Sequence, residues 1–515
     1  MYKKIVFLAI WFLTLEIKAS IELPVIFIQF GDSKSLNDTL TQAKQFNERV
    51  ILIGDENNKH HADNGIEFFL ISNYIASTNY FRTIYKHMVH GDYEEEFSRF
   101  ARWFVLEEFM KTNNISIAFY LENEVMLYCN VAQEYLKNFN NLDVGLGIQH
   151  GFCNGSVSYW NLKAIQSFCN FLKCFYENKK IIDMLKDQFR FGGEQYQDDW
   201  PHMANWAHDN NWALKIGNLN SLINSTAFDS SISDDYILIP NAAGILEYSR
   251  YCMVAENLSA KRNTNQRQLL IKDIIWNQGI PYCFSSDLGS FVQFKSLKFQ
   301  GAARDLIKNY KSNSELKSTY CEPYNAIDPL PFYMLGFFGT EKQKWLKNFI
   351  KEHNPKIIVE LGSWLGATTS FMAFFMPDNS KLYAVDCFDS ETDICVENIE
   401  KVNQQNIPHI SILYHQFLSN IKHYNLCHKI IPIKKNTLEA ARLLDIQADL
   451  IYINTSNDEE LIYQNIMHWF PKLKKNGIIC GDNWKWLDVV QQGIIRAARD
   501  LGKKIITDNN FWYFD

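Results

Sequence analysis

The stretch from Lys356 to Phe388 constrains the fold more than any other part of the chain. Ile357 to Val359 is a short apolar run between Pro355 and a glycine turn, the pattern of a buried parallel strand. Ala367 to Met376 is long and apolar enough for a buried helix, and Pro377-Asp378 stops it. Leu382 to Val385 follows as a second strand, so the unit reads βαβ. Ligands bind such units where the strands end, which here means Glu360 to Gly366 and Asp386. Gly362 and Gly366 allow a sharp turn and a close backbone approach to a ligand. Asp386, ending the second strand, can accept hydrogen bonds from both hydroxyls of a ribose. Trp364 stands where the dinucleotide fingerprint G-x-G-x-x-G has its second glycine, which argues against a nicotinamide or flavin dinucleotide.

Glu360-x-Gly362-x-x-x-Gly366 followed by an acidic strand end resembles motifs I and II of class I S-adenosylmethionine (SAM) methyltransferases. The wording Val-Glu-Leu-Gly-Ser-Trp-Leu-Gly is most similar to the small-molecule and sugar O-methyltransferase group. The resemblance implies SAM as cofactor, held by Glu360, Gly362, Ser363, Gly366 and Asp386. Alternation continues after Asp386: strands at Ile430 to Ile433, Leu450 to Ile453 and Ile478 to Cys480, helices from Leu438, Glu459 and about Trp486, and a terminal hairpin of Lys504 to Thr507 with Phe511 to Phe514. A helix at Trp345 to His353 leads in. This is the layout of a seven-stranded Rossmann-like class I methyltransferase. Lys435, Asn436 and Thr437 match the place where that family's third strand meets the adenine. The family ends its fourth strand in Asp-x-Ser-His and its fifth in Gly-Asp-Asp. This chain has Asn454-Thr-Ser-Asn457 and Gly481-Asp482-Asn483 instead. Asp482, Asn454 and the nearby Asp458 are the candidate catalytic residues. His415 and Lys485 are further candidate bases for which surface positions are expected. Amides bind a hard cation less well than carboxylates, so methyl transfer is expected to be metal-independent.

The N-terminal part is also α/β. Val25 to Gln29 and Val50 to Ile53 read as strands and Leu36 to Phe46 as a helix between them. Glu94 to Asn113 is helical, with Phe97, Phe100 and Phe104 as its core face. Ile115 to Leu121 forms a strand ending in Glu122-Asn-Glu124. Two residues apart on an extended chain, those side chains point the same way and can offer carboxylates to a divalent cation. This segment resembles the nucleotide-binding half of a GT-A glycosyltransferase, whose Asp-x-Asp stands at such a strand end. The likeness implies Mn or Mg, held by Glu122 and Glu124, with a nucleotide sugar. The glycine-led segment from Gly155, the acidic helix start Asp198-Asp199 and Leu297-Lys298-Phe299-Gln300-Gly301 are similar to later segments of such enzymes. Asp198 or Asp199 could cap its helix or serve as a base, and capping is the role expected. Lys298 replaces the family's histidine and could pair with phosphate.

At 515 residues the chain is too long for one core. The expected division is a signal-like segment at 1–20, a GT-A-like domain at 21–310, a proline-rich linker at 311–331 and a methyltransferase domain at 332–515. A net charge of −7 gives no electrostatic reason to expect nucleic acid. Eleven cysteines without a Cys-x-x-Cys pair suggest neither a zinc site nor a disulfide framework. The N-terminus has the basic start and short apolar run of an export signal and is too short to span a bilayer comfortably. SAM and nucleotide sugars, in contrast, are cytosolic. The expected function is SAM-dependent O-methylation of a sugar or other small hydroxyl compound, fused to a glycosyltransferase-like domain. The alternative is a non-catalytic pair of domains that binds glycans or cofactors.

Overall fold

The computed structural model describes residues 22–31, 33–87, 92–149, 152–190, 199–221, 223, 226–228, 238–240, 246–248, 274–285, 290–299, 301–312, 322–327, 329–330, 332–334, 340–389, 412–455, 458–485, 488–508 and 510–515. The signal-like segment 1–20, Asp198 and Asn457 lie outside the described residues. The chain forms two compact units that meet in sequence at Asn220 and Ser221.

The first unit is built on a mixed sheet. Its strands are β1 (Val25–Gln29), β2 (Val50–Gly54), β3 (Glu67–Leu70), β4 (Ile117–Leu121), β6 (Val144–Gln149), β7 (Phe152–Asn161) and β8 (Ile216–Asn218). A short strand, β5 (Val125–Leu127), follows β4. The sheet order is β3-β2-β1-β4-β7-β6-β8. β1 runs parallel to β2 and β4, and β7 runs antiparallel to β4 and β6. Chain order reverses between β1 and β4, the place where an open α/β sheet forms its ligand crevice. The first strand, helix Leu36–Phe46 and helix Tyr93–Thr112 agree with the sequence reading to within a residue at each end. Phe97, Phe100 and Phe104 are buried as expected, in an aromatic core with Trp103, Trp160 and Trp206.

The second unit carries a seven-stranded sheet of β15 (Ile357–Leu361), β16 (Lys381–Asp386), β17 (Ile430–Lys434), β18 (Ala448–Ile453), β19 (Leu473–Gly481), β20 (Ile505–Asp508) and β21 (Phe511–Phe514). Their order is β17-β16-β15-β18-β19-β21-β20. The first five are parallel and the terminal hairpin is antiparallel. β15 and β18 are buried over most of their length, consistent with a parallel strand covered on both faces. Val359, Leu361, Ile451 and Ile453 pack with Trp469, Ile494 and Trp512.

The second unit also contains short strands β9 (Thr226–Phe228), β10 (Leu238–Pro240) and β11 (Leu246–Tyr248), and an antiparallel set β12 (Ile275–Asn277), β13 (Ile280–Ser285) and β14 (Ser290–Lys298). The expected boundary after residue 310 therefore does not coincide with the division between the units. The physical reason is burial. Phe291 on β14 lies 3.8 Å from the Phe374 ring, and its backbone N–H and C=O both bond the Tyr424 hydroxyl. Asn277 donates to the Tyr424 carbonyl at 2.7 Å. Lys298 is buried at the end of β14 and falls in the second unit.

Candidate functional site

The second sheet reverses chain order between β15 and β18, and the loop of Gly362 to Gly366 leaves β15 at that point. Gly362 has φ +87° and donates to the Val385 carbonyl, while Asn454 N–H donates to the Leu361 carbonyl. The loop is thus tied to both neighbouring strand ends. A Cβ on Gly362 would lie 2.0 Å from the Asn454 carbonyl oxygen. Gly366, at φ +90°, is the N-cap of helix Ala367–Phe375. The buried Asn420 side chain donates to the Leu365 carbonyl, which fastens helix Ile412–His423 behind the loop.

Asp386 holds the loop from the other side. Its Oδ2 accepts the Trp364 N–H at 2.9 Å and its Oδ1 accepts the Phe388 N–H at 2.8 Å. Both donors belong to residues with positive φ, +46° and +49°. The carboxylate therefore stabilises two strained positions before any ligand arrives. A carboxylate oxygen can accept more than one hydrogen bond.

Glu360 is fully buried at the end of β15. Its Oε2 accepts from the Ser363 and Thr369 hydroxyls. Its Oε1 has no partner among the described residues. Burial pushes this carboxyl up to about 7, against the two hydroxyl bonds that favour its charged form. A carboxyl raised on folding contributes stability at low pH that is lost as pH rises through its folded value. The rise from 4.5 to about 7 corresponds to about 3 kcal/mol. Wild type is expected to lose that much stability between pH 4.5 and 7 relative to Glu360→Gln. Urea unfolding across that range checks it, and parallel curves for the two proteins would rule it out.

Several expected site residues have local roles. Asn436 Oδ1 caps helix Thr437–Leu443 through the Leu438 N–H. Lys435 N–H donates to the Asp386 carbonyl at 2.9 Å, and its Nζ pairs with Glu439. The Thr437 carbonyl accepts from the Trp469 indole. Asp458 is exposed and caps helix Glu459–Trp469 through the Leu461 N–H. His415, expected on the surface, is buried, because its helix packs against the glycine loop; Lys485 is exposed.

Asp482, at the end of β19, is bound by a residue that sequence reading did not single out. Lys342, on helix Thr340–His353, donates to its Oδ2 at 2.7 Å. The two are 140 positions apart, and no local motif links them.

In the first unit the expected metal pair flanks a turn. The chain turns at Glu122, whose carbonyl accepts the Val125 N–H. Glu122 and Glu124 therefore do not sit on one extended strand. The Glu122 carboxylate forms an ion pair with Arg102. Arg102 also bonds Asp199 Oδ2 at 2.8 Å, and the Trp103 indole donates to the same oxygen at 2.6 Å. Asp199, expected to cap its helix, is fully buried in this cluster. Burial acts against the Arg102 charge, but Asp199, Tyr120 and Glu122 more than offset it and hold its pKa well above the ordinary value. Among the described residues, no three His, Cys, Asp or Glu side chains gather as a metal site.

Residues 359–484 match the family model described as a methyltransferase domain. The match covers less than half of the 515 residues. No curated protein matches the chain. Among solved structures, the chain is similar to the O-methyltransferase NovP, at 15% identity over 36% of this chain and 83% of that one, with a TM-score of 0.28. It is similar to the O-methyltransferase TomG from Streptomyces achromogenes, solved with SAM, at 12% identity over 35% and 80%, TM-score 0.27. It is also similar to an O-methyltransferase from Bacillus cereus, solved with SAH, at 14% identity over 35% and 82%, TM-score 0.26. No helix among the described residues is long and apolar enough to cross a membrane.

Proposed function

We propose that the second unit is a SAM-dependent methyltransferase acting on a hydroxyl group of a sugar or other small molecule. The observation that carries this is the Glu360 to Gly366 loop, pinned at the order reversal of a parallel sheet with Asp386 alongside. The residues fit the cofactor. Glu360 Oε1 is a buried acceptor, and Trp364 Nε1 a buried donor, each without a partner among the described residues. Gly362 lets the loop pass close to the Asn454 carbonyl, where a Cβ would not fit. SAM supplies a methyl group already activated on a sulfonium. The protein's task is then to align the nucleophile and to manage its proton. Asp386 would accept from the ribose hydroxyls. Asp482 is the carboxylate at the acceptor side, since Asn454 carries an amide that cannot serve as a base near neutral pH. Asp458 is engaged as a helix cap.

Calorimetric titration with SAM and S-adenosylhomocysteine (SAH) tests the reading. Asp386→Ala removes charge-assisted bonds of about 1.5–3 kcal/mol each. Affinity is expected to fall about tenfold or more. Absence of SAM binding by wild type at millimolar concentration would refute the proposal.

The first unit supports a glycosyltransferase-like reading through its order reversal between β1 and β4 and the polar strand ends there. At that edge Asn123 donates to Gln29 at 2.7 Å. A nucleotide sugar is the ligand proposed, bound without a metal at Glu122 and Glu124. The engagement of Glu122 by Arg102 favours a second reading for this unit, glycan or cofactor binding without catalysis. A thermal-shift screen with uridine, guanosine and cytidine diphosphates, with and without Mn²⁺, separates the two.

A further inference from the structure

Glu360, Tyr452 and Cys480 are lateral neighbours on β15, β18 and β19. Residues in register on adjacent strands share a face, and Asp482, two positions past Cys480, continues it. Lys342 reaches into this row from helix Thr340–His353. Its side chain is 7% exposed and that of Asp482 is 14% exposed. The ammonium donates to Asp482 Oδ2 at 2.7 Å and lies 5.6 Å from the centre of the Tyr452 ring. Glu360 Oε1 is buried and has no hydrogen-bond partner among the described residues, and the buried Tyr452 hydroxyl lies beside Asp482. The cluster thus holds two carboxyl groups and one ammonium.

We propose that the Lys342 ammonium is the resident cation of this strand-end site, taking the charge-balancing place that a divalent ion would otherwise hold beside Asp482. Lys342 is a positioning residue: its bond to Oδ2 orients the Asp482 carboxylate. The proposal rests on the methyltransferase reading. Its physical basis is competition for one oxygen. A small divalent ion needs near-octahedral oxygen ligands and depends on their charge. Asp482 Oδ2 already accepts a bond from a cation, and the flanking Asn454 and Asn483 offer only neutral carbonyl oxygens. An ammonium also brings a charge that repels an incoming ion.

Mn²⁺ binding to the full chain, followed by electron paramagnetic resonance, tests this without any methyl acceptor. Wild type is expected to bind Mn²⁺ no more tightly than Asp482→Asn. Lys342→Met leaves the carboxyl groups unbalanced, and its Mn²⁺ affinity should rise about tenfold or more, since ligand charge sets affinity at such sites. Adding Asp482→Asn to Lys342→Met should abolish the gain, and Lys342→Arg should behave as wild type. Wild-type Mn²⁺ binding that disappears in Asp482→Asn overturns the proposal, as does a folded Lys342→Met with no gain. If circular dichroism shows Lys342→Met unfolded, the wild-type and Asp482→Asn comparison decides alone: equal affinities support the proposal and tighter wild-type binding overturns it. SAH titration of the same samples keeps the two readings apart. Failure of wild type to bind SAH defeats the methyltransferase reading, whereas the Mn²⁺ result bears on Lys342.

Discussion

Gly362→Val is expected to abolish SAM and SAH binding and to destabilise the second unit by about 3–5 kcal/mol, the range of a severe backbone substitution. Two independent effects add. At φ +87° any Cβ is strained, and a β-branched side chain more so. The new Cβ would also stand 2.0 Å from the Asn454 carbonyl oxygen and 2.7 Å from its carbon. Those are backbone atoms of the strand end beside the loop, so no rotamer change relieves the clash. β15 and β18 would have to separate where the proposed cofactor site lies. Gly502→Ala is the control. Its φ is +63°, but its Cβ would meet nothing within 4 Å, so only the conformational cost of about 1–2 kcal/mol applies. Urea unfolding and SAH calorimetry measure both effects. Wild-type SAH affinity in a folded Gly362→Val protein would remove the loop from the cofactor site.

Arg102→Met is expected to cost the first unit about 3–5 kcal/mol, because removing one partner of a buried ion cluster leaves the other charges uncompensated. Arg102 bridges Glu122 and the fully buried Asp199. A second substitution, Asp199→Asn, should recover part of the loss by removing one of the stranded charges. Urea unfolding of the single and double variants tests this. An Arg102→Met protein as stable as wild type would show that the cluster does not hold the unit together. Mn²⁺ is expected to give the wild type no stabilisation through Glu122, which Arg102 engages.

Much of the second sheet was legible because its signals are local. Parallel strands buried on both faces read as apolar runs, and glycine at a strand end announces a turn. Ile357 to Asp386 was therefore read as strand, helix and strand with the ligand edge at Glu360 to Gly366, and the structure has those elements in that order. The Asp386 carboxylate was assigned to a ribose, but its bonds to the Trp364 and Phe388 amides were hidden, since neither positive φ is expected of an aromatic residue. The Glu122 and Glu124 reading assumed an extended chain. The turn that follows β4 turns the pair away from that geometry, and Arg102 engages Glu122.

The sequence by itself determined the α/β class, the glycine loop and the candidate cofactor residues, because each follows from side chains within a few positions of one another. Only the tertiary structure decided which charges meet. Lys342 comes to Asp482 across 140 positions, Arg102 joins Glu122 and Asp199, and β12 to β14 cover Tyr424 and Phe374 in the second unit. Those pairings depend on how whole elements stack, since a buried charge or aromatic ring takes whatever partner packing brings within reach.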